Sequence, residues 1–145
     1  MKPEELATAR VVITGAPRAG KTTASELFEA MGFEVRHTDV LVGKFEWSDA
    51  SLLASTWLEH PGPWVCEGVT MGRALRKWLG RHPGTLRPCD LVLWYGEPCV
   101  EVSDGQASMT KACATIWGQI AGELERRGVE IRVMGTRIPE AEEAK

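Results

Sequence analysis

The chain has 145 residues, of which 43% are hydrophobic and 26% are charged, the composition of an ordinary folded domain. This length suits one domain with one sizeable core, and the formal net charge of −3 argues against a broad nucleic-acid or membrane surface. No apolar stretch approaches the roughly 20 residues that span a bilayer, and the N-terminus lacks a signal-peptide core, so we expect a cytoplasmic protein without a membrane partner.

Apolar runs of strand length alternate with helix-like stretches, a pattern that predicts a parallel sheet with helices on both faces. The predicted strands lie at residues 10–14, 33–37, 64–66, 91–95 and 129–134. The predicted helices lie at residues 22–31, 71–79 and 107–127, with another that Ser48 caps and that ends near Glu59. We therefore expect one α/β domain over residues 1–145, a three-layer sandwich in which the acidic tail, residues 138–145, is frayed.

Residues 15–22 read Gly-Ala-Pro-Arg-Ala-Gly-Lys-Thr and match the phosphate-binding (Walker A) pattern G-x-x-x-x-G-K-[ST] between a predicted strand and a predicted helix. The glycines let the backbone turn its N–H groups toward a phosphate, and the positive end of the helix adds to the attraction. Lys21 would reach the β- and γ-phosphates, and the Thr22 hydroxyl would hold Mg²⁺. The predicted nucleotide-binding residues here are Gly15, Ala16, Pro17, Arg18, Ala19, Gly20, Lys21, Thr22 and Thr23.

Two carboxylates follow predicted strands, at the edge where ligands of a parallel α/β sheet gather. Asp39 comes two residues after the second strand, and Glu67 comes directly after the third. One carboxylate can orient the Mg²⁺ shell while the other accepts a proton from an attacking hydroxyl, and the sequence leaves this assignment open. The alternatives are a turn or helix-cap role for Asp39 and a solvated loop position for Glu67. Asp90 precedes its strand and is expected at the opposite edge.

The loop at 15–22, Asp39 after the second strand and Glu67-Gly68 after the third resemble the P-loop kinases of nucleosides, nucleotides and small metabolites. The resemblance implies a P-loop NTPase fold whose five parallel strands have the order 2-3-1-4-5. It also implies an ATP- and Mg²⁺-dependent kinase, with Lys21, Asp39 and Glu67 in catalytic roles. Asp39 would be the base or substrate anchor and Glu67 a magnesium or substrate ligand, although the two roles can be exchanged. The candidate metal ligands are Thr22, Glu67 and Asp39.

The chain departs from this family in its arginines. Such kinases commonly close an arginine-bearing lid after the fourth strand, but residues 88–125 contain no arginine, and Lys111 is their one basic residue. Lys111 replaces the lid arginine, the lid is reduced, or the cation comes from elsewhere. Arg18 is one candidate for that cation, and a merely solvated side chain is the alternative for it. The segment 105–111 is the candidate for a reduced lid.

The helix after Glu67 carries Arg73, Arg76 and Lys77, followed by Arg81. This spacing is typical of an amphipathic helix with a solvated basic face. The alternative is a pocket for a phosphorylated or polyanionic acceptor, in which Arg73, nearest the strand end, is the catalytic cation.

The segment after Asp39 occupies the place where related kinases build the acceptor pocket, so Phe45 and Trp47 are candidates to stack on a base or sugar. Most of the six tryptophans are expected in the core. The candidate acceptor-binding residues are Asp39, Phe45, Trp47, Arg73 and Lys111. Related kinases also wrap adenine with the loop after the last strand, which implies that Arg137 stacks on the base. A solvent-exposed arginine is the alternative for Arg137.

The sequence therefore predicts ATP and a small acceptor, with a nucleoside or nucleotide favoured, and leaves a homodimer open. A nucleotide within DNA or RNA is an alternative acceptor, against which the acidic net charge counts. An acceptor-free P-loop NTPase or nucleotide-binding module is the other alternative, because the lid arginines are missing. A GTPase switch is disfavoured, since the chain has no asparagine for an N-K-x-D motif, and no apolar run ends in the aspartate typical of motor ATPases.

Overall fold

The structure, a computed structural model, describes residues 1–134, so Arg137 and the predicted tail at 138–145 lie outside the described residues. The strands are β1 (Arg10–Gly15), β2 (Val35–His37), β3 (Trp64–Glu67), β4 (Leu91–Tyr95) and β5 (Glu130–Met134). The helices are α1 (Pro3–Leu6), α2 (Lys21–Ala30), α3 (Trp47–Trp57), α4 (Met71–Arg81) and α5 (Asp104–Arg126), and a 3₁₀ turn covers Thr38–Val40. No helix within residues 1–134 is both long and apolar enough to cross a membrane.

The five strands form one parallel sheet with the order β2-β3-β1-β4-β5. The predicted α/β class, the parallel sheet and the strand order are confirmed. β1 lies in the centre because its apolar run can be buried on both faces, and Val11, Val12 and Ile13 are completely inaccessible to solvent. Since β1 is central, the loop that follows it opens at the middle of the carboxyl edge of the sheet.

The two faces of the sheet carry different helices. Alternate residues of β1 point to opposite sides, so Val12 packs with α3, α4 and α5, whereas Ile13 packs on the side of α2 and α1. Leu75 of α4 and Ile120 of α5 are in the first core, and Phe28 of α2 packs against the second. The expected covering of both faces is therefore confirmed.

The long helix α5 begins at Asp104, three residues before the predicted start at Ala107. Ser103 Oγ accepts a hydrogen bond from the Gln106 N–H, and the Gln106 side chain accepts one from the Ser103 N–H. This reciprocal capping box satisfies N–H groups at the start of the helix and fixes its boundary. The S-x-x-Q pattern of residues 103–106 is a sequence signal for this helix start.

The predicted cap of α3 is also wrong, because the helix begins at Trp47 with Glu46 at the N-cap position. Ser48 lies inside the first turn, where its carbonyl oxygen accepts a hydrogen bond from Lys77 Nζ at 2.7 Å. Trp47 consequently belongs to a helix and not to the irregular segment in which the sequence placed it. The short helix α1 was not predicted.

Asp90 lies at the amino edge of the sheet, opposite the loop after β1, as predicted. Its carboxylate accepts hydrogen bonds from the backbone N–H of Arg10 at 2.8 Å and from the Arg10 guanidinium at 3.1 and 3.2 Å. Burial acts to raise the pKa of Asp90, but the hydrogen bonds and charge of Arg10, with the charge of Arg87, outweigh it. The pKa of Asp90 therefore lies below its usual value of 3.8.

We expect Asp90→Asn to lower the free energy of unfolding by about 1 kcal/mol near neutral pH, where the charged hydrogen bonds are intact. A depressed carboxyl pKa stabilises the folded state above the unfolded pKa, here 3.8. That contribution disappears as the pH falls through the lower folded pKa. Urea unfolding near neutral pH and below pH 3.8 should therefore show the difference between variant and wild type shrinking in acid. Glu26→Gln, at an exposed position on α2, is the control, and a difference that stays constant with pH would contradict this role.

Candidate functional site

The loop between β1 and α2 is held tightly against β4. Gly15 has a φ of +142°, and a Cβ at this position would overlap the carbonyl oxygen of Tyr95. The next residue, Ala16, donates its N–H to that same oxygen at 2.8 Å. Within residues 1–134, Arg18 is the one non-glycine residue with a positive φ, +56°. A left-handed residue within such a loop is typical of the backbone turns that bind anions through their N–H groups.

Lys21 is the first residue of α2 and is only 6% exposed. Its ammonium group donates a hydrogen bond to the Ala16 carbonyl oxygen, so the side chain folds back over the loop. Burial lowers the pKa of Lys21, while the negative charges of Glu67 and Asp39 act in the opposite direction. A buried cation therefore stands inside the loop with two carboxylates near enough to act on its charge.

Glu67 ends β3 and is only 3% exposed, so the alternative of a solvated loop acid is wrong. The parallel register places it beside Ile13 of β1 on one side and His37 of β2 on the other. His37 Nδ1 lies 2.6 Å from Glu67 Oε1. Sequence reasoning missed His37, although its position at the end of the strand before Asp39 was a usable signal.

Gly68 directly follows Glu67 of β3 and lies against the ends of the two neighbouring strands, β1 and β2. Its carbonyl oxygen accepts a hydrogen bond from Thr14 Oγ1 at 2.9 Å, and its N–H donates to the Ile13 carbonyl oxygen at 3.0 Å. The φ of Gly68 is +143°, and a Cβ here would overlap Thr38 Oγ1. This close approach requires glycine, and it keeps the chain that leads to Asp39 against the end of β3.

We expect Gly68→Ala to lower the free energy of unfolding by about 3 kcal/mol or more, since a strained φ and a steric overlap add together. Gly32→Ala is the matched control, because Gly32 has a φ of +96° but no atom within 4 Å of an added Cβ. It should cost only about 1 kcal/mol. Urea unfolding measures both variants, and equal losses would show that the overlap with Thr38 is relieved cheaply.

The loop, Asp39 and Glu67 line one cleft of about 570 Å³ at the carboxyl edge of the sheet. Asp39 is exposed on the 3₁₀ turn that follows β2. The residues that line the cleft are Pro17, Arg18, Ala19, Gly20, Lys21, Thr22, Thr23, Asp39, Val42, Trp47, Glu67, Val69, Cys99, Val100, Gln106 and Met109. Gly15 and Ala16 are buried at the base of the loop. The structure thus brings together the lysine, the threonine hydroxyl and both carboxylates that the sequence singled out.

Trp47 and Arg73 meet beside the Asp39 end of the cleft. The Arg73 guanidinium lies 5.8 Å from the centroid of the Trp47 ring, and this ring is 39% exposed. Burial raises the pKa of Cys113 of α5, and the positive charges of Lys21 and Arg73 both oppose that rise. Of the predicted acceptor residues, Asp39 and Trp47 line the cleft, whereas Arg73, Phe45 and Lys111 are not among the lining residues. Phe45 and Lys111 are exposed.

The other basic residues of α4 bind neighbouring helices. Arg76 donates to Gln119 Oε1 of α5 at 2.8 Å, and Arg81 donates to Ser55 Oγ of α3 at 2.9 Å. Lys77 binds Ser48 of α3, as described above. These contacts favour a packing role for the basic face of α4. Arg73 differs from the other three residues in that it contacts Trp47, which lines the cleft.

The segment after β4 packs on the phosphate loop. The Cys99 N–H donates to the Arg18 carbonyl oxygen at 2.9 Å, and the Cys99 thiol donates to the same oxygen at 3.2 Å. Cys99, Val100, Gln106 and Met109 line the cleft, and Gln106 and Met109 belong to the segment 105–111 that the sequence suggested as a reduced lid. Contact with the left-handed Arg18 backbone depends on tertiary structure and could not be anticipated.

Thr22, Asp39 and Glu67 supply the oxygen donors that Mg²⁺ prefers. Within residues 1–134, no group of three or more His, Cys, Asp or Glu side chains is arranged to hold a metal ion by itself. This donor set fits a magnesium ion that is held jointly by the protein and by the oxygens of a bound phosphate chain.

The cleft thus brings residues of the loop at 15–22 together with a buried lysine and two carboxylates. No protein-family model matches the chain, and no curated protein matches it.

Proposed function

We propose that the chain is a phosphotransferase of the P-loop kinase type that moves the γ-phosphoryl group of Mg-ATP to a nucleoside, a nucleotide or a similar small acceptor. One observation carries the proposal: the phosphate-binding loop, Asp39 and Glu67 line a single cleft. A phosphate loop alone supports nucleotide binding, whereas two carboxylates beside it provide the groups that phosphoryl transfer needs. The strand order, with the loop after central β1, supports the P-loop NTPase fold.

The donor nucleotide binds at the loop side of the cleft. The N–H groups of the loop and the start of α2 hold the β-phosphate. Lys21 leaves the Ala16 carbonyl oxygen and binds the β- and γ-phosphates, whose negative charge adds to that of Glu67 and Asp39 around its buried ammonium. Thr22 and one of the carboxylates would hold Mg²⁺, which neutralises charge on the phosphate chain when bound.

The acceptor binds at the Asp39 side, against Val42, Trp47 and Val69. Asp39 accepts the proton of the acceptor hydroxyl while the hydroxyl oxygen forms a bond to the γ-phosphorus. The bond between that phosphorus and the β–γ bridging oxygen breaks, and ADP leaves. Catalysis consists of positioning the two substrates and neutralising charge, so the transfer needs no covalent nucleophile.

Arg18 takes the place of the missing lid arginine in this scheme. It lines the cleft, and its exposed guanidinium lies on the loop that binds the transferring group. Two hydrogen bonds from Cys99 hold its carbonyl oxygen and thereby support its left-handed backbone. A non-glycine residue in this conformation costs about 1 kcal/mol or more, which is consistent with a side chain retained for function.

Transfer is tested by incubating the protein with labelled ATP, Mg²⁺ and a panel of nucleosides, nucleotides and DNA ends. Label on a small acceptor is the expected result, and label on DNA ends alone would instead identify a polynucleotide kinase. Phosphate release without any acceptor would identify an NTPase. Binding without turnover would identify a nucleotide-binding module. The nucleotide-binding module is the second candidate function. It is favoured by the small number of cations in the cleft, since Arg18 and Lys21 are the only basic residues that line it within residues 1–134.

Cys99 gives a direct measure of nucleotide binding. It is the exposed one of the four cysteines, whereas Cys66, Cys89 and Cys113 are buried, and burial raises the pKa of Cys66 to about 12. We expect a thiol-specific reagent to modify one cysteine per chain rapidly, and saturating Mg-ATP to slow that reaction about tenfold or more by occupying the cleft. Mass spectrometry identifies the modified residue. Rapid labelling that Mg-ATP does not affect would contradict nucleotide binding beside Cys99.

A further inference from the structure

The contact between His37 and Glu67 is built by the sheet itself. These residues form the last pair in the register of β2 and β3, so both side chains emerge at the carboxyl edge. The Nδ1–Oε1 distance of 2.6 Å is that of a charge-assisted hydrogen bond. The Glu67 side chain is only 4% exposed, whereas that of His37 is 36% exposed. An accessible imidazole thus holds a buried carboxylate.

Within residues 1–134, His37 is the only side chain that forms a hydrogen bond with Glu67. Lys21 donates a hydrogen bond to Ala16, and the nearby Thr38 hydroxyl is buried without a hydrogen-bond partner in the part of the chain that the structure describes. Glu67 Oε2 has no hydrogen-bond partner in the described chain, although Glu67 lines the cleft. One carboxylate oxygen is therefore fixed by the histidine, and the other is left for a ligand of the cleft.

We propose that His37 is a positioning residue, which orients the Glu67 carboxylate so that Oε2 faces the bound Mg-nucleotide or acceptor. The proposal rests on the proposed function and adds to it the group that fixes one of its two acids. The backbone of Glu67 is held by the close contact of Gly68 with Thr38, and the side chain is held by His37. Because the carboxylate is already fixed in the free protein, it loses little side-chain conformational entropy when the ligand binds.

Two substitutions separate hydrogen bonding from packing. His37→Asn retains an N–H donor near the position of Nδ1, whereas His37→Leu fills similar space without any donor. His60→Leu is the control, because His60 is exposed and its side chain forms no hydrogen bond within residues 1–134. Thermal unfolding of the nucleotide-free variants checks that each one folds.

The first measurement is the affinity for Mn²⁺ in the presence of ATP, determined by electron paramagnetic resonance. The second is the steady-state kinetics of transfer, which give kcat and the KM for the acceptor separately. We expect His37→Leu to weaken Mn²⁺ binding or lower kcat by about tenfold to a hundredfold, with His37→Asn within about threefold of wild type. A loss of Mn²⁺ affinity assigns Glu67 to the metal, and a loss of kcat alone assigns it to the acceptor. Either result supports positioning by His37.

The inference is overturned if His37→Leu matches wild type within about twofold in both measurements, as a packing role would allow. It is also overturned if both variants are equally impaired, because the N–H donor of asparagine would then make no difference. If the wild-type protein transfers phosphate to no acceptor, the proposed function fails, and the Mn²⁺ affinities of the two variants still decide the role of His37. Wild-type protein that binds no Mn²⁺ with ATP would overturn both.

Discussion

Replacing Lys21 with alanine should lower the rate of phosphoryl transfer by about a thousandfold or more, because the ammonium neutralises charge on the transferring group. Lys21 is the buried cation of the loop, and no other lysine lines the cleft within residues 1–134. Single-turnover transfer from labelled ATP measures the loss, and Lys44→Ala, at an exposed position, is the control. Transfer at more than about a tenth of the wild-type rate would show that the phosphates are neutralised elsewhere.

The same substitution should not destabilise the free protein. Burial lowers the pKa of Lys21, so the folded chain without nucleotide holds this charge at a cost. We therefore expect the nucleotide-free Lys21→Ala variant to unfold at a urea concentration at least as high as that of wild type. Lost activity in a variant of undiminished stability would identify a functional residue, whereas a large loss of stability would leave misfolding as the cause of inactivity.

Replacing Asp39 with asparagine should lower kcat by about a hundredfold to ten-thousandfold while leaving ATP affinity nearly unchanged. The amide keeps the size of the carboxylate but cannot accept the proton of the attacking hydroxyl. Rapid-quench transfer assays and calorimetric titration with ATP measure the two quantities. Asp49→Asn, an exposed acid in the first turn of α3, is the control.

Glu67→Gln separates the roles of the two acids. If Glu67 serves the metal, this variant should weaken Mg-ATP binding about tenfold or more, whereas Asp39→Asn should not. An Asp39→Asn variant that transfers at the wild-type rate would show that our assignment of the base is wrong. A Glu67→Gln variant that loses kcat without losing affinity would then move the base to Glu67.

The sequence predicted the sheet well because β1 is an uninterrupted apolar run, and only the centre of a parallel sheet buries such a strand on both faces. It predicted the carboxylates of the site because residues that follow parallel strands must share one edge. The contact of Arg73 with Trp47 could not be predicted, since it depends on how α3 packs against α4. The pairing of His37 with Glu67 was within reach, because a register in which β2 and β3 end together implies it.

The two halves of the cleft are anchored to the fold with unequal strength. The phosphate-binding loop follows β1, which pairs on both sides, whereas Asp39 follows β2, a three-residue strand that pairs only with β3 within residues 1–134. Local fraying of so short a strand requires far less free energy than global unfolding. As denaturant is added, we therefore expect phosphoryl transfer to be lost first, while nucleotide binding persists until the chain unfolds globally.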